Sequence, residues 1–139
     1  MKKQQLDHIL RAAGNITGQK QFVIIGSQSL HGKYPNLADE IVMSAEVDLF
    51  ASKKPDATEL LNANLPAGDT GGVKGLCLEP HDLAIAKYVA RRHKDRVFTS
   101  ELVRRGLLDR ERLLALLEQT PITPAEKDRI RADIASDFE

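Results

Sequence analysis

The spacing of hydrophobic residues changes along this chain, from mixed helix and strand signals in the front half to helical signals alone in the back half. A stripe at helical spacing in residues 4–13 predicts a first helix, which Gly14-Asn15 should end. A fully apolar run at residues 22–25 then predicts a buried strand, and Gly26-Ser27 predicts a turn into a short helix through about Gly32.

The middle of the chain predicts two more strands around a glycine-rich loop. Residues 45–50 predict the second strand and residues 52–64 a short helix begun by Pro55 and Asp56. After the loop, residues 74–78 predict the third strand. The front half is therefore expected to alternate helices with strands.

From Glu79 onward the pattern is that of helices. Pro80 suits a first helical position, and the apolar residues after it predict a helix to about His93. Gly106 should end the next helix, Asp109 should cap a third, and Thr123-Pro-Ala-Glu126 is a capping box opening a fourth.

These elements together predict an α/β (α+β) fold. A small mixed sheet of about three strands, covered by helices, is expected in residues 1–78, followed by a C-terminal helical subdomain in residues 79–139. So small a sheet has exposed edges, and pairing with another copy would cover one, so a homodimer is expected.

Composition narrows the function without naming it. The chain has 139 residues with 20 Lys and Arg against 20 Asp and Glu, a balance that argues against a general nucleic-acid or membrane-surface binder. The single cysteine, Cys77, can form no internal disulfide and lies in an apolar run, which favours a reducing compartment and an inert buried thiol. With no run long enough to cross a bilayer, a cytoplasmic protein is expected.

Two carboxylates interrupt the second predicted strand. Glu46 and Asp48 are two residues apart, so on a strand they would share a face and repel each other. A divalent cation held between them would relieve that repulsion, and Mg²⁺ or Mn²⁺ is the usual partner of carboxylate oxygens. The alternative is an exposed sheet edge, where charged residues oppose aggregation.

Three stretches resemble a known superfamily: IIGSQSLHG, MSAEVDLF and GLCLEPHDLAIAKYVARRHKD. They are similar to the nucleotidyltransferase-like proteins of an uncharacterised bacterial family related to the abortive-infection toxin nucleotidyltransferases and to the minimal nucleotidyltransferases. The resemblance covers most of the chain, which is shortened between the acidic pair and the third strand. It implies that Gly26 and Ser27 hold a triphosphate and that Glu46 and Asp48 are catalytic residues holding the metal.

A basic segment follows in the helical half. Read as one helix, it puts Lys87 near Arg91 and Arg92 near Arg96, and Asp95 can orient one of these cations. The candidate contacts to nucleotide phosphates are Lys87, Arg92 and Lys94. The alternatives are a solvated helix face for this segment and, for His81, a polar first turn instead of a metal ligand.

Three functions from different classes follow. The first is Mg²⁺-dependent transfer of an NMP group from an NTP to a protein or RNA acceptor, with toxin–antitoxin pairs among the systems that the resemblance implies. The second is a catalytically degenerate scaffold that binds a nucleotide or a protein, since no third carboxylate falls on a predicted strand. The third is a helix-turn-helix protein that binds DNA through the helices on either side of Gly106. The acidic residues from Asp109 onward argue against it, because they would repel the DNA phosphates.

Overall fold

A computed structural model describes residues 1–34, 36, 48–51, 63, 64, 68 and 70–139, with the backbone alone at 48–51 and 63–64. The chain divides into two compact units, Met1–Glu79 and Pro80–Glu139. Within the described residues, no helix combines the length and apolar character that crossing a membrane requires.

The first unit is built on a four-stranded mixed sheet. Its strands are β1 (Gln21–Ile25), β2 (Asp48–Ala51), β3 (Ala63–Asn64) and β4 (Lys74–Cys77), in the order β2-β1-β4-β3. β1 runs antiparallel to β2 and parallel to β4, and β3 is antiparallel to β4. This confirms the predicted fold class, with one short strand added at an edge.

Helix α1 (Lys3–Thr17) covers one face of this sheet. Phe22 and Ile24 alternate with less buried neighbours along β1, as expected of a strand with one face in a core. They form the core of the unit together with Leu6, Leu10, Val73 and Cys77. A 3-10 helix, Ser27–Gly32, follows β1 directly, as the sequence predicts.

The second unit contains four helices: α2 (Pro80–Ala90), α3 (His93–Arg104), α4 (Arg110–Gln119) and α5 (Pro124–Asp137). Its largest fully buried side chains are Leu83, Tyr88, Leu102, Leu113, Leu117, Ile130 and Ile134. The predicted caps are confirmed: Asp109 accepts from the backbone N–H groups of Glu111 and Arg112, and Thr123 accepts from that of Glu126. Local capping chemistry thus sets where these two helices begin.

The predicted end of the first helix is wrong. α1 continues through Gly14 to Thr17, and Gly18 closes it with a left-handed φ of 72°. A Cβ at Gly14 would lie 2.4 Å from a methyl carbon of Val73. Gly14 therefore permits close packing within the helix instead of ending it.

The predicted helix over residues 52–64 is wrong at its end. Ala63 and Asn64 form β3 and pair with Cys77 and Leu76 of β4. Strand pairing along the free edge of β4 supplies backbone partners that local sequence preference does not reveal. Residues 52–62 lie outside the described part of the chain.

The helix predicted to run from Pro80 to about His93 ends earlier, and the basic segment spans two helices, as the two predicted helices imply. α2 ends at Ala90, three residues before the predicted end at His93. Arg91 has a φ of 53°, Arg92 is extended, and α3 starts at His93. At the bend, Asp133 binds the Arg91 side chain and Asp95 binds that of Arg92, as described below.

Candidate functional site

The turn after β1 depends on glycine. Gly26 has φ 76° and ψ −168°, a combination that side-chain-bearing residues almost never adopt. The Ser29 hydroxyl donates to the Gly26 carbonyl at 2.7 Å, and the Ser29 backbone N–H donates to the same oxygen at 3.0 Å. Ser29 therefore fixes the turn that carries Ser27.

Ser27 differs from Ser29 in its contacts. Its side chain is half-buried, and within the described part of the chain its hydroxyl makes no hydrogen bond. Ser29, not Ser27, therefore supplies the side-chain hydrogen bond to the Gly26 carbonyl.

A buried histidine anchors the 3-10 helix behind this turn. The Nε2 atom of His31 lies 2.9 Å from the Met1 carbonyl oxygen and 3.2 Å from Oε1 of Gln28. A carbonyl can only accept, so Nε2 donates and Nδ1 is the bare nitrogen, which is buried and has no hydrogen-bond partner among the described residues. Burial lowers the pKa of His31.

The strand register brings one predicted metal ligand beside the turn. Asp48 opens β2 and pairs with Ile25, the residue before Gly26. Opposed residues of an antiparallel pair have Cα atoms about 4.5–5.5 Å apart. Glu46, its predicted partner, lies outside the described residues, and among those described no cluster of three or more His, Cys, Asp or Glu could hold a metal ion.

Two of the predicted phosphate contacts meet a buried carboxylate in the second unit. Asp95 accepts from Nε of Arg92 at 2.7 Å and from the Arg92 backbone N–H at 3.2 Å, and Nζ of Lys87 lies 3.3 Å from its other oxygen. Burial acts to raise the pKa of Asp95, but the hydrogen bonds from Arg92 and Lys87 outweigh it and the pKa lies below its usual value. Asp95 thus binds two cations, where the sequence indicated one.

The other arginines of the basic segment bind the last turns of α5. Arg91 donates to both oxygens of Asp133, at 2.9 and 3.3 Å. Asp137 accepts from the Tyr88 hydroxyl and the Ser100 hydroxyl, each at 2.7 Å, and lies 3.5 Å from Arg96. Arg91 and Arg92 make their ion pairs while their side chains stay 42% and 57% exposed, so the segment is a solvated face whose arginines are also paired.

The remaining candidates have simpler surroundings. Lys94 is exposed. His81 is buried, and its Nε2 accepts the backbone N–H of Asp109 at 2.9 Å, a contact that holds the start of α4. Cys77 is buried, and burial raises the pKa of its thiol to about 12, in keeping with an inert thiol.

The sequence patterns did not indicate three groups: the His31 anchor and the carboxylates of Asp133 and Asp137. The two aspartates are four residues apart on α5, the spacing of neighbours on one helix face, which was the available signal. For His31 the sequence offers no comparable signal.

The predicted site residues divide between the two units. Gly26, Ser27 and Asp48 belong to the first unit, and Lys87, Arg92 and Lys94 belong to the second. Comparison of the chain with family models, curated proteins and solved structures finds no match.

Proposed function

We propose that this protein is nucleotidyltransferase-like and that its first unit binds an NTP together with Mg²⁺ or Mn²⁺. The observation that supports this most directly is the pairing of Asp48 with Ile25, because it sets a carboxylate-bearing residue beside the Gly26-Ser27 turn. Anion-binding and cation-binding chemistry then occur next to each other, as a metal–triphosphate complex requires.

Each residue of this turn has a defined task in the proposed site. Gly26 lets the backbone approach a phosphate group closely, since no side chain projects there. Ser27 donates its hydroxyl to a phosphate oxygen, a hydrogen bond to a charged group. Asp48, with Glu46, supplies the hard oxygen ligands that Mg²⁺ prefers.

The proposed reaction is transfer of an NMP group to a protein or RNA acceptor. An acceptor hydroxyl oxygen bonds to the α-phosphorus, its proton passes to a base, and the bond to the β-phosphate breaks to release pyrophosphate. When bound, the metal neutralises the charge that develops on the phosphates. Toxin–antitoxin pairs are the biological setting that fits such an activity.

The second unit favours an alternative role for part of the predicted site. Lys87 and Arg92 already bind Asp95, so their charge is partly neutralised before any nucleotide arrives. This supports a degenerate scaffold that binds nucleotide or protein without turnover.

Incubation of the protein with each α-labelled NTP and Mg²⁺ distinguishes the transferase from the scaffold. The acceptors offered are total protein and RNA from a bacterial extract. Label transferred to an acceptor by the parent, and lost in Ser27→Ala but kept in Ser100→Ala, supports the transferase. NTP binding without transfer supports the scaffold, and absence of both overturns the proposal.

A further inference from the structure

The α2–α3 junction is bent at a residue poorly suited to the bend. Arg91, with φ 53°, is the one non-glycine residue of positive φ in the described part of the chain. A left-handed conformation disfavours any residue with a Cβ, and glycine or asparagine is the usual choice where a helix ends this way. Arg92 is extended, with φ −69° and ψ 158°.

The local sequence favours one straight helix instead. Residues 81–105 contain neither glycine nor proline, and the junction Ala90-Arg91-Arg92 consists of good helix formers. In the bent form the first N–H groups of α3, those of His93 and Lys94, have no carbonyl one turn earlier to bind. A straight helix would supply both partners.

Ionic and apolar contacts hold the bent form. Arg91 is bound by Asp133 of α5 and Arg92 by Asp95. Leu83 and Tyr88 of α2, Leu102 of α3 and Ile134 of α5 are all buried, and α2 packs against both α3 and α5. Straightening the junction would move α3, α4 and α5 away from α2. The apolar surfaces that they bury against each other would then be exposed to water unless another surface packs on them.

A second copy of the chain offers the matching surface. If two straightened copies exchange their helices, α2 of each meets α3 to α5 of the other, and every contact is retained except those at the junction itself. Exchange of an identical element between copies is a low-cost route to a dimer. We propose that the Arg91–Arg92 junction is a hinge through which two copies exchange α3 to α5, with α2 and α3 of each joined into one continuous helix.

This inference is independent of the nucleotide site, and one pair of variants tests it. Arg91→Ala and Arg91→Gly both remove the guanidinium that binds Asp133, but alanine favours the straight helix and glycine the bend. The difference between alanine and glycine in their preference for the straight helix acts at both junctions of the dimer. The dimer association constant of Arg91→Ala should therefore exceed that of Arg91→Gly by roughly a thousandfold. Sedimentation equilibrium after warm incubation under reducing conditions measures it.

Hydrogen exchange distinguishes the exchanged dimer from a surface contact. In the dimer, the amides of His93 and Lys94 become internal to a helix and should be protected, whereas in the monomer they exchange fast. Equal association of the two variants, or a dimer with these amides unprotected, overturns the proposal. If Arg91→Ala does not fold, Arg91→Gln against Arg91→Asn repeats the comparison, because asparagine accepts the left-handed conformation.

Discussion

At the scale of single residues, Gly26 is a position where an added methyl group should lower stability through the backbone alone. Its φ of 76° and ψ of −168° lie in a region that is essentially restricted to glycine. We expect Gly26→Ala to lower the free energy of unfolding by about 1–3 kcal/mol, measured by urea denaturation.

Gly18→Ala is the matched control. Gly18 is also left-handed, with φ 72°, but ψ is 4° and an added Cβ would meet no atom within 4 Å. That conformation is the milder one for alanine, so its cost should be smaller. A loss at Gly18 equal to or larger than that at Gly26 would show that the turn after β1 is not strained in this way.

His31 gives the stability of the first unit a pH dependence. Burial lowers its pKa from the ordinary 6.5, so the unfolded chain binds a proton more readily than the folded one. This contribution to stability is fully present above about pH 6.5 and is lost as the pH falls below it, with a slope of at most about 1.4 kcal/mol per pH unit.

We expect His31→Gln to flatten that slope, because glutamine can still donate to the Met1 carbonyl but does not titrate. Denaturant unfolding at several pH values between 5 and 7.5 measures it, with His8→Gln on the exposed side of α1 as control. A parent whose stability is the same at pH 5 and pH 7.5 would refute the expectation.

At the scale of elements, the ion pair between Lys87 and Asp95 joins α2 to α3. The Lys87 side chain is 19% exposed and that of Asp95 1%, so solvent screens the pair only weakly. We expect a double-mutant cycle of Lys87→Met and Asp95→Asn to give a coupling free energy of about 1–3 kcal/mol.

The exposed pair Arg131–Asp128 on α5 provides the comparison. Its side chains are 43% and 77% exposed, so the same cycle there should give less than about 1 kcal/mol. Similar coupling free energies in both cycles would mean that burial of Asp95 does not strengthen its ion pair with Lys87.

The elements also show which structure can be read from sequence. Asp109 and Thr123 cap helices through groups two or three residues away, so a short stretch contains all the information. Gly14 and Gly18 look equally able to end α1, and the contact of Gly14 with Val73, far along the chain, decides between them.

The bend at Arg91 illustrates the same limit. Its neighbours predict a helix, while its carboxylate partner Asp133 lies 42 residues away. In the candidate site, the sequence indicates that the Gly26-Ser27 turn follows β1, and the structure agrees. The pairing of Ile25 with Asp48 depends on long-range strand register, which local patterns leave open.

At the scale of the whole molecule, the residues predicted to bind a nucleotide fall in two compact units, and the proposed NTP site is that of the first unit. In the second unit, Lys87 binds the buried carboxylate of Asp95. Substitution of Lys87 should therefore change the stability of the second unit, whereas substitution of Ser27 should change nucleotide binding by the first.

The most direct test of the nucleotide site is calorimetric titration of the parent protein, Asp48→Asn and Ser27→Ala with each NTP, with and without Mg²⁺. We expect binding to the parent that disappears without metal. We also expect Asp48→Asn to lose the metal dependence, and Ser27→Ala to bind more weakly by about 1.5–3 kcal/mol, the range for a hydrogen bond to a charged group. The absence of binding heat with all four nucleotides, or an equal effect of metal on binding to the parent and to Asp48→Asn, would contradict the proposed site.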